Sequence, residues 1–189
     1  MEETIRDKVL KVALKELNQR GPDFHMDDLA RHLHISKRTL YEHFSSKQEI
    51  VKEAIISVMD DLYAHHVRLI NDKKMSIEDK LLAYFHARSE LIELISLRQY
   101  EAILRKMPDI GPDLEVQSKR DWDLLLHFLQ DVEKTKGYKN FYALALLHML
   151  MGAGNSILNH LDELDDERYL TYPEYMDECM RIVLYGIKK

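Results

Sequence analysis

The stretch MDDLARHLHISKRTLYEHFSSKQEI, residues 26–50, constrains the fold more than any other part of the chain. Leu29, Ala30 and Leu33 set apolar groups on one face at three- and four-residue offsets, and Leu40, Tyr41 and Phe44 repeat the pattern farther on. That spacing predicts two short helices meeting at an angle, with Ile35 plugging the angle. Ser36 is suited to cap the second helix, because its hydroxyl can accept from a free amide of the first turn. Ser46, Lys47, Gln48 and Glu49 fit a capping box, which ends the second helix near Phe44 and launches a longer one at Lys47. The second helix leaves Lys37, Arg38, Thr39, Glu42 and His43 outside. They form a polar, mostly basic surface of about the length that a major groove admits.

At these residues the chain resembles the TetR family of bacterial transcriptional regulators. SKRTLYEHFSSKQEI is similar to the family's recognition-helix pattern, DDLA to the helix before it, and IRDKVLKVALKELNQRG to a first helix that ends in glycine, so the resemblance covers residues 5–51. It implies an all-α protein of about nine helices. An N-terminal helix-turn-helix domain of three helices would occupy residues 1–46, and a C-terminal helical ligand-binding and dimerisation domain residues 47–189. The implied partners are double-stranded operator DNA and a second copy of the chain. Lys37, Arg38, Thr39 and Glu42 are the candidates for base edges, whereas Tyr41, His43 and Lys47 are expected to hold phosphates. Two positions depart from the family pattern. His34 stands where a turn glycine is usual, so either His34 adopts the left-handed region or the turn is altered. His25 stands where Ser or Thr usually caps the first short helix.

Charge agrees with a local footprint. Residues 1–47 hold nine Lys or Arg against eight Asp or Glu, leaving 18 against 25 for the remainder of a chain whose net charge is -6. Nonspecific coating of nucleic acid is disfavoured; attraction should be confined to one end, through Lys37, Arg38, Lys47 and amides at helix starts. A chain of 189 residues can bury a sizeable core as one or two domains. No apolar run approaches the roughly 18 to 20 residues of a membrane span, and the first twenty residues are charged and amphipathic, unlike a secretory signal. A cytoplasmic protein with no membrane partner is expected. The single Cys179 excludes an intrachain disulfide and suits a small packing residue.

Beyond residue 47 every periodic segment is helical. Three of the six glycines and all four prolines fall at breaks: Gly21 and Pro22, residues 108–112, Gly137 and Pro173. The expected helices are Lys47–Asn71, 77–107, 113–136, 140–164 and Tyr172–Ile187, the last started by Thr171, Pro173 and Glu174. Residues 77–107 lack an internal breaker, although the family would divide them near Leu97 or Arg98. Phe141, Leu144, Ala145, Leu147, His148, Met151, Asn155, Leu158 and Leu161 span more than one helix face, and Met176, Met180, Val183, Leu184 and Ile187 form a stripe. That is more apolar surface than one copy should bury, so part of it is expected to meet another. Gly152 and Gly154 permit a close helix approach, or simply mark a flexible spot. In the family the last two helices form a four-helix dimer interface. The implied homodimer sets two readers on successive major grooves, hence a near-palindromic operator.

The family also houses a small-molecule pocket between its middle helices. The candidate lining is Met59, Tyr63, His66, Phe85, Ser89, Tyr100, Ile103, Leu104, Met107, Trp122, Leu126, His148, Met151 and Asn155, which suits a small apolar or aromatic effector. Each aromatic or Met could equally be ordinary core. His148 and Asn155 stand out as polar groups on apolar faces, where burial without partners is costly. An enzyme is the rival class, given ten histidines. None has Glu three residues before it, His-Glu-x-x-His is absent, and the GxG at residues 152–154 lacks the third glycine of a nucleotide loop. No catalytic residue, metal ligand or cofactor is expected. A helical protein–protein adaptor is the other alternative, which salt-sensitive, sequence-selective DNA binding would exclude.

Overall fold

Among the described residues a Ser or Thr stands just before six of the nine α-helices. The computed structural model describes residues 4–86, 91, 94–138, 140–159 and 171–187. Thr4 accepts from the amide of Asp7 at 3.2 Å while the Asp7 carboxylate accepts from the amide of Thr4 at 3.0 Å, a capping box that opens α1, Ile5–Arg20. Gly21 closes it at φ 61, a left-handed value that glycine takes without strain. After the single turn Gly21–Asp23 come α2, Met26–His32, and α3, Lys37–His43. Ser46 then opens α4, Lys47–Asn71, by accepting from the amide of Glu49 at 3.1 Å. Ser76 caps α5, Ile77–Ala83, and Ser96 caps α6, Leu97–Lys106. The remaining elements are α7, Gly111–Glu133, α8, Ala143–Asn159, and α9, Tyr172–Ile187. Thr171 donates its amide to Glu174 at 2.9 Å just ahead of α9. The all-α class is thus as expected, with nine α-helices among the described residues.

Two expectations need correction. The periodic stretch 77–107 is not one helix: α5 passes into a single 3₁₀ turn at Tyr84–His86, and α6 begins afresh at Leu97, where the family resemblance would divide it. The physical cause is the Ser96 hydroxyl, which accepts from the amide of Gln99 at 3.2 Å. The capping box at Ser46 is also not the reciprocal one. Glu49 reaches past Ser46 to accept from the amide of Ser45 at 2.6 Å, so one carboxylate secures the loop before α4.

The chain divides into two compact units. The first comprises Met1–Leu62 and Arg88–Ser118. Its core joins Val9, Leu14, Leu17, Phe24, Leu29, Leu40 and Phe44 to Ile50, Val51 and Ile55 of α4 and to Ile103, Ile110 and Leu114. Ile50, Val51 and Ile55 of α4 thus share this core with the helices that precede residue 47. Polar ties follow the same path: Lys52 pairs with Asp113 at 2.8 Å, Lys106 with Asp23, and the amide of Ser96 donates to Asn18 at 3.3 Å.

The second unit comprises Tyr63–Ala87 and Lys119–Lys189. Leu81, Tyr84, Leu125, Leu129, Leu146, Leu147, Leu150, Met176, Met180 and Leu184 make its core. Within it His66 is buried, with Nε2 donating to the carbonyl of Tyr84 at 2.8 Å and Nδ1 meeting the Asp121 carboxylate at 2.8 Å. The ring stacks on Tyr84, centroids 3.8 Å apart. Cys179 is half-buried and burial pushes its thiol up, as suits a packing residue.

The hydrogen bonds from Ser45 hold the Glu49 carboxyl below its ordinary value of 4.5. A depressed carboxylate contributes stability above its unfolded value and loses it as pH falls through the folded one. In denaturant titrations at a series of pH values, Glu49→Gln should therefore be less stable than the parent at pH 7. The gap should close on acidification below about pH 4.5, and a gap that persists at pH 2 would refute the charge assignment.

Candidate nucleic-acid interface

The turn before α3 decides which way that helix faces. Ile35 donates to the carbonyl of Ala30 at 3.0 Å and His34 to that of Arg31 at 3.2 Å, the paired bonds of a helix end closed by one left-handed residue. That residue is His34, at φ 53. The first of the two options left open by the sequence is the one realised: the standard turn is kept and histidine takes the place of glycine. At the start of α2, His25 donates its amide to Asp28 at 3.3 Å.

Ser36 caps α3, accepting from the amide of Thr39 at 2.9 Å. Leu40 and Phe44 go into the core, so Lys37, Arg38, Tyr41 and Glu42 are brought together on the opposite, exposed face. Thr39 and His43 sit half-buried on its flanks. Lys37 reaches back to Asp27 of α2 at 2.8 Å; the pairing holds the Asp27 carboxyl below its usual range and raises the Lys37 ammonium. Arg38 donates Nε–H to Glu42 at 3.1 Å. Thr39 shares a hydrogen bond with the Ser36 hydroxyl at 2.8 Å. The backbone carbonyl of His43 accepts from Arg6, whose guanidinium also pairs with Glu53 and lies 4.3 Å over the Phe44 ring. Lys47 stands apart from the other six candidates. Its ammonium lies 4.6 Å over the Phe24 ring, and burial lowers its pKa, with Asp23 opposing and Lys106 adding to the shift. Sequence reasoning missed Asp27 and Arg6, since neither pairing has a fixed spacing that would reveal it.

The other candidate residues do not form one set. Met59, Tyr100, Ile103, Leu104 and Met107 belong to the core of the first unit, whereas Phe85, Trp122, Leu126 and Met151 pack against that of the second. Tyr63 lies under Arg120, 4.1 Å from guanidinium to ring centroid, and His66 is held by Asp121 and Tyr84. Ser89 lies outside the described residues. His148 and Asn155 are exposed, which corrects the expectation of polar groups on buried faces. The reason is the phase of α8: Ala143, Leu146, Leu147, Leu150 and Ile157 point inward, leaving Ala145, His148, Met149, Gly152 and Asn155 outward. On α9 likewise Met176, Met180 and Leu184 line the unit's own core, while Ile182 and Tyr185 face outward. The two glycines separate accordingly. Gly154 admits Tyr172, whose hydroxyl would stand 3.2 Å from an added Cβ, whereas Gly152 has open space in front of it. Leu161 and the side chains of Leu158 and Ile187 are outside the described residues. Among the described residues no cluster of His, Cys, Asp and Glu could hold a metal ion, and no helix is long and apolar enough to cross a membrane.

Residues 9–54, which run from α1 through the turn and α3 into α4, match the model for bacterial regulatory proteins of the tetR family. Over those residues the chain resembles that family. The curated proteins it matches are described as helix-turn-helix transcriptional regulators. It is 22% identical over 180 residues to the uncharacterized helix-turn-helix transcriptional regulator YvaF of Bacillus subtilis (strain 168), covering 95% of this chain and 94% of that protein. A second relative is IcaR, the negative transcriptional regulator of the icaADBC biofilm operon in Staphylococcus aureus, 28% identical over 82 residues and 43% of each chain. In fold the chain is similar to a TetR transcriptional regulator from Legionella pneumophila, with a TM-score of 0.65, 19% identity and coverage of 96% of this chain and 98% of that one.

Position 34 offers a direct check of the turn. A β-branched residue is strained at φ 53, so His34→Val should lower stability by about 1 to 2 kcal/mol. His34→Gly should fold at least as well as the parent in the same urea titration; equal tolerance of Val and Gly would mean the turn is not left-handed.

Proposed function

We propose that this regulator works as a dimeric repressor which leaves a near-palindromic operator when a small apolar or aromatic effector binds. The observation that carries the reading is the outward face of α3, where Lys37, Arg38, Tyr41 and Glu42 stand together on a helix anchored by Leu40 and Phe44. In this reading residues 1–46 contact DNA and residues 47–189 carry the effector and dimer functions. Lys37, Arg38, Thr39 and Glu42 form the face turned to base edges, while Tyr41, His43 and Lys47 meet phosphates. The second copy is supported by the exposed faces of α8 and α9. Met149 is 64% exposed, Ile182 65% and Tyr185 81%, an expanse of apolar surface that water covers only at a cost. Two copies joined there would present their α3 helices to half-sites about 34 Å apart. The negative sign of regulation follows IcaR by analogy.

An effector would act through α4, which begins at Lys47 beside the reader and continues to Asn71. Half-buried Tyr63, Phe85, Trp122, Leu126 and Met151 supply apolar and aromatic surface of the kind such a molecule needs. Reciprocity then requires DNA to weaken effector binding by the factor with which effector weakens DNA binding, commonly about 1 to 3 kcal/mol of coupling. The site of action is the cytoplasm.

Selection of bound duplexes from a random-sequence pool by the full-length protein should return an inverted repeat, with affinity falling steeply as salt rises. Sedimentation should give a dimer. Tyr185→Glu together with Ile182→Glu should give monomers that bind a single half-site as well as the parent but lose the advantage of the repeat. Apolar and aromatic compounds screened for release of the selected duplex should include a dissociating one. A parent protein that stays monomeric and selects no sequence would defeat the proposal.

A further inference from the structure

Of the four candidate base readers on α3, two are already spoken for inside the head. The Lys37 ammonium is drawn back onto Asp27 at 2.8 Å, and the Thr39 hydroxyl is bound to Ser36 at 2.8 Å. Arg38 differs. Its side chain is 89% exposed, and the contact made by the guanidinium is the Nε–H···Oε1 bond to Glu42 at 3.1 Å, one turn along the same face. That bond uses Nε–H and leaves Nη1 and Nη2 available as donors. Two parallel donors at that spacing match O6 and N7 of guanine.

Glu42 is harder to explain by anything else. An exposed pair at this spacing contributes little to stability, so the fold does not need it. A carboxylate on a surface that approaches phosphates weakens binding to every duplex. What Glu42 does gain is control of its neighbour: by holding Nε it keeps the long Arg38 side chain from swinging to a backbone phosphate, a contact that would carry no sequence information. We infer that Arg38 reads a guanine in each half-site through Nη1 and Nη2, and that Glu42 is the positioning residue that makes this contact specific. The inference rests on the DNA-reading role proposed for α3.

Operators selected by the full-length parent would be altered one base at a time and their Kd values measured for the parent, Arg38→Ala, Glu42→Ala and Glu42→Gln. The parent should lose roughly 5- to 150-fold when one particular guanine is replaced, and Arg38→Ala should be indifferent to that replacement. Glu42→Ala should cut the discrimination at that guanine alone by about two- to fivefold. Glu42→Gln, whose amide oxygen still accepts from Nε, should keep it. Both Glu42 variants lose one negative charge and should bind all duplexes more tightly by a common factor. Discrimination that is unchanged in Glu42→Ala, or equally reduced in Glu42→Gln, would overturn the positioning role. Guanine preference that survives in Arg38→Ala would overturn the assignment of the reader while leaving operator binding intact. A parent that selects no sequence would remove the DNA-reading role itself, and this inference with it.

Discussion

Burial of Leu40 and Phe44 is the constraint on which the interface depends. The two side chains are one helical turn apart and almost wholly excluded from water, each contributing about 1.5 to 3 kcal/mol by leaving it. Because α3 is only seven residues long, fixing those positions fixes the rest: Lys37, Arg38, Tyr41 and Glu42 have nowhere to go but outward. Arg6 reinforces the orientation from α1 by joining the end of α3 to Glu53 of α4. The exposed ion pairs, worth about 0 to 1 kcal/mol each, do not hold the helix in place. Orientation and recognition thus rest on different residues, and the outward side chains are free to serve binding.

Much of this was legible in the chain. Apolar offsets located α2 and α3, Ser36 and Ser46 marked the starts of α3 and α4, and α9 begins and ends where its pattern did. His34 was readable because few residues other than glycine tolerate the conformation that closes this helix end. The break before α6 was legible from the family resemblance and not from periodicity. Ser96 and Gln99 have the spacing of a capping box, but without Gly or Pro nearby the long periodic run from Ile77 concealed it. Contacts such as Lys37 with Asp27, or His66 with Asp121, lie across elements and leave no periodic trace.

The phase of α8 was the least legible feature, for a physical reason. Leu144, Ala145, Leu147, Met149 and Met151 surround the helix with apolar groups, so periodicity alone does not say which side meets the core. Packing against Met176, Met180 and Leu184 settles the question and turns His148 and Asn155 outward. Of the residues considered for contact with a second copy, Leu147, Met176, Met180 and Leu184 form the unit's own interior. The surface left over is carried by Met149, Ile182 and Tyr185 and by the bare backbone at Gly152.

The first unit draws Ile103, Ile110 and Leu114 into the same interior as Leu40 and Phe44. A ribosome delivers the amino terminus first, at roughly 5 to 20 residues per second, so the opening helices emerge some seconds before their last interior partners. During that interval Phe24, Leu29 and Phe44 have an incomplete hydrophobic shelter and are open to chaperones or to neighbouring nascent chains. The unit that carries α3 is therefore completed only when residues 103–114 have followed.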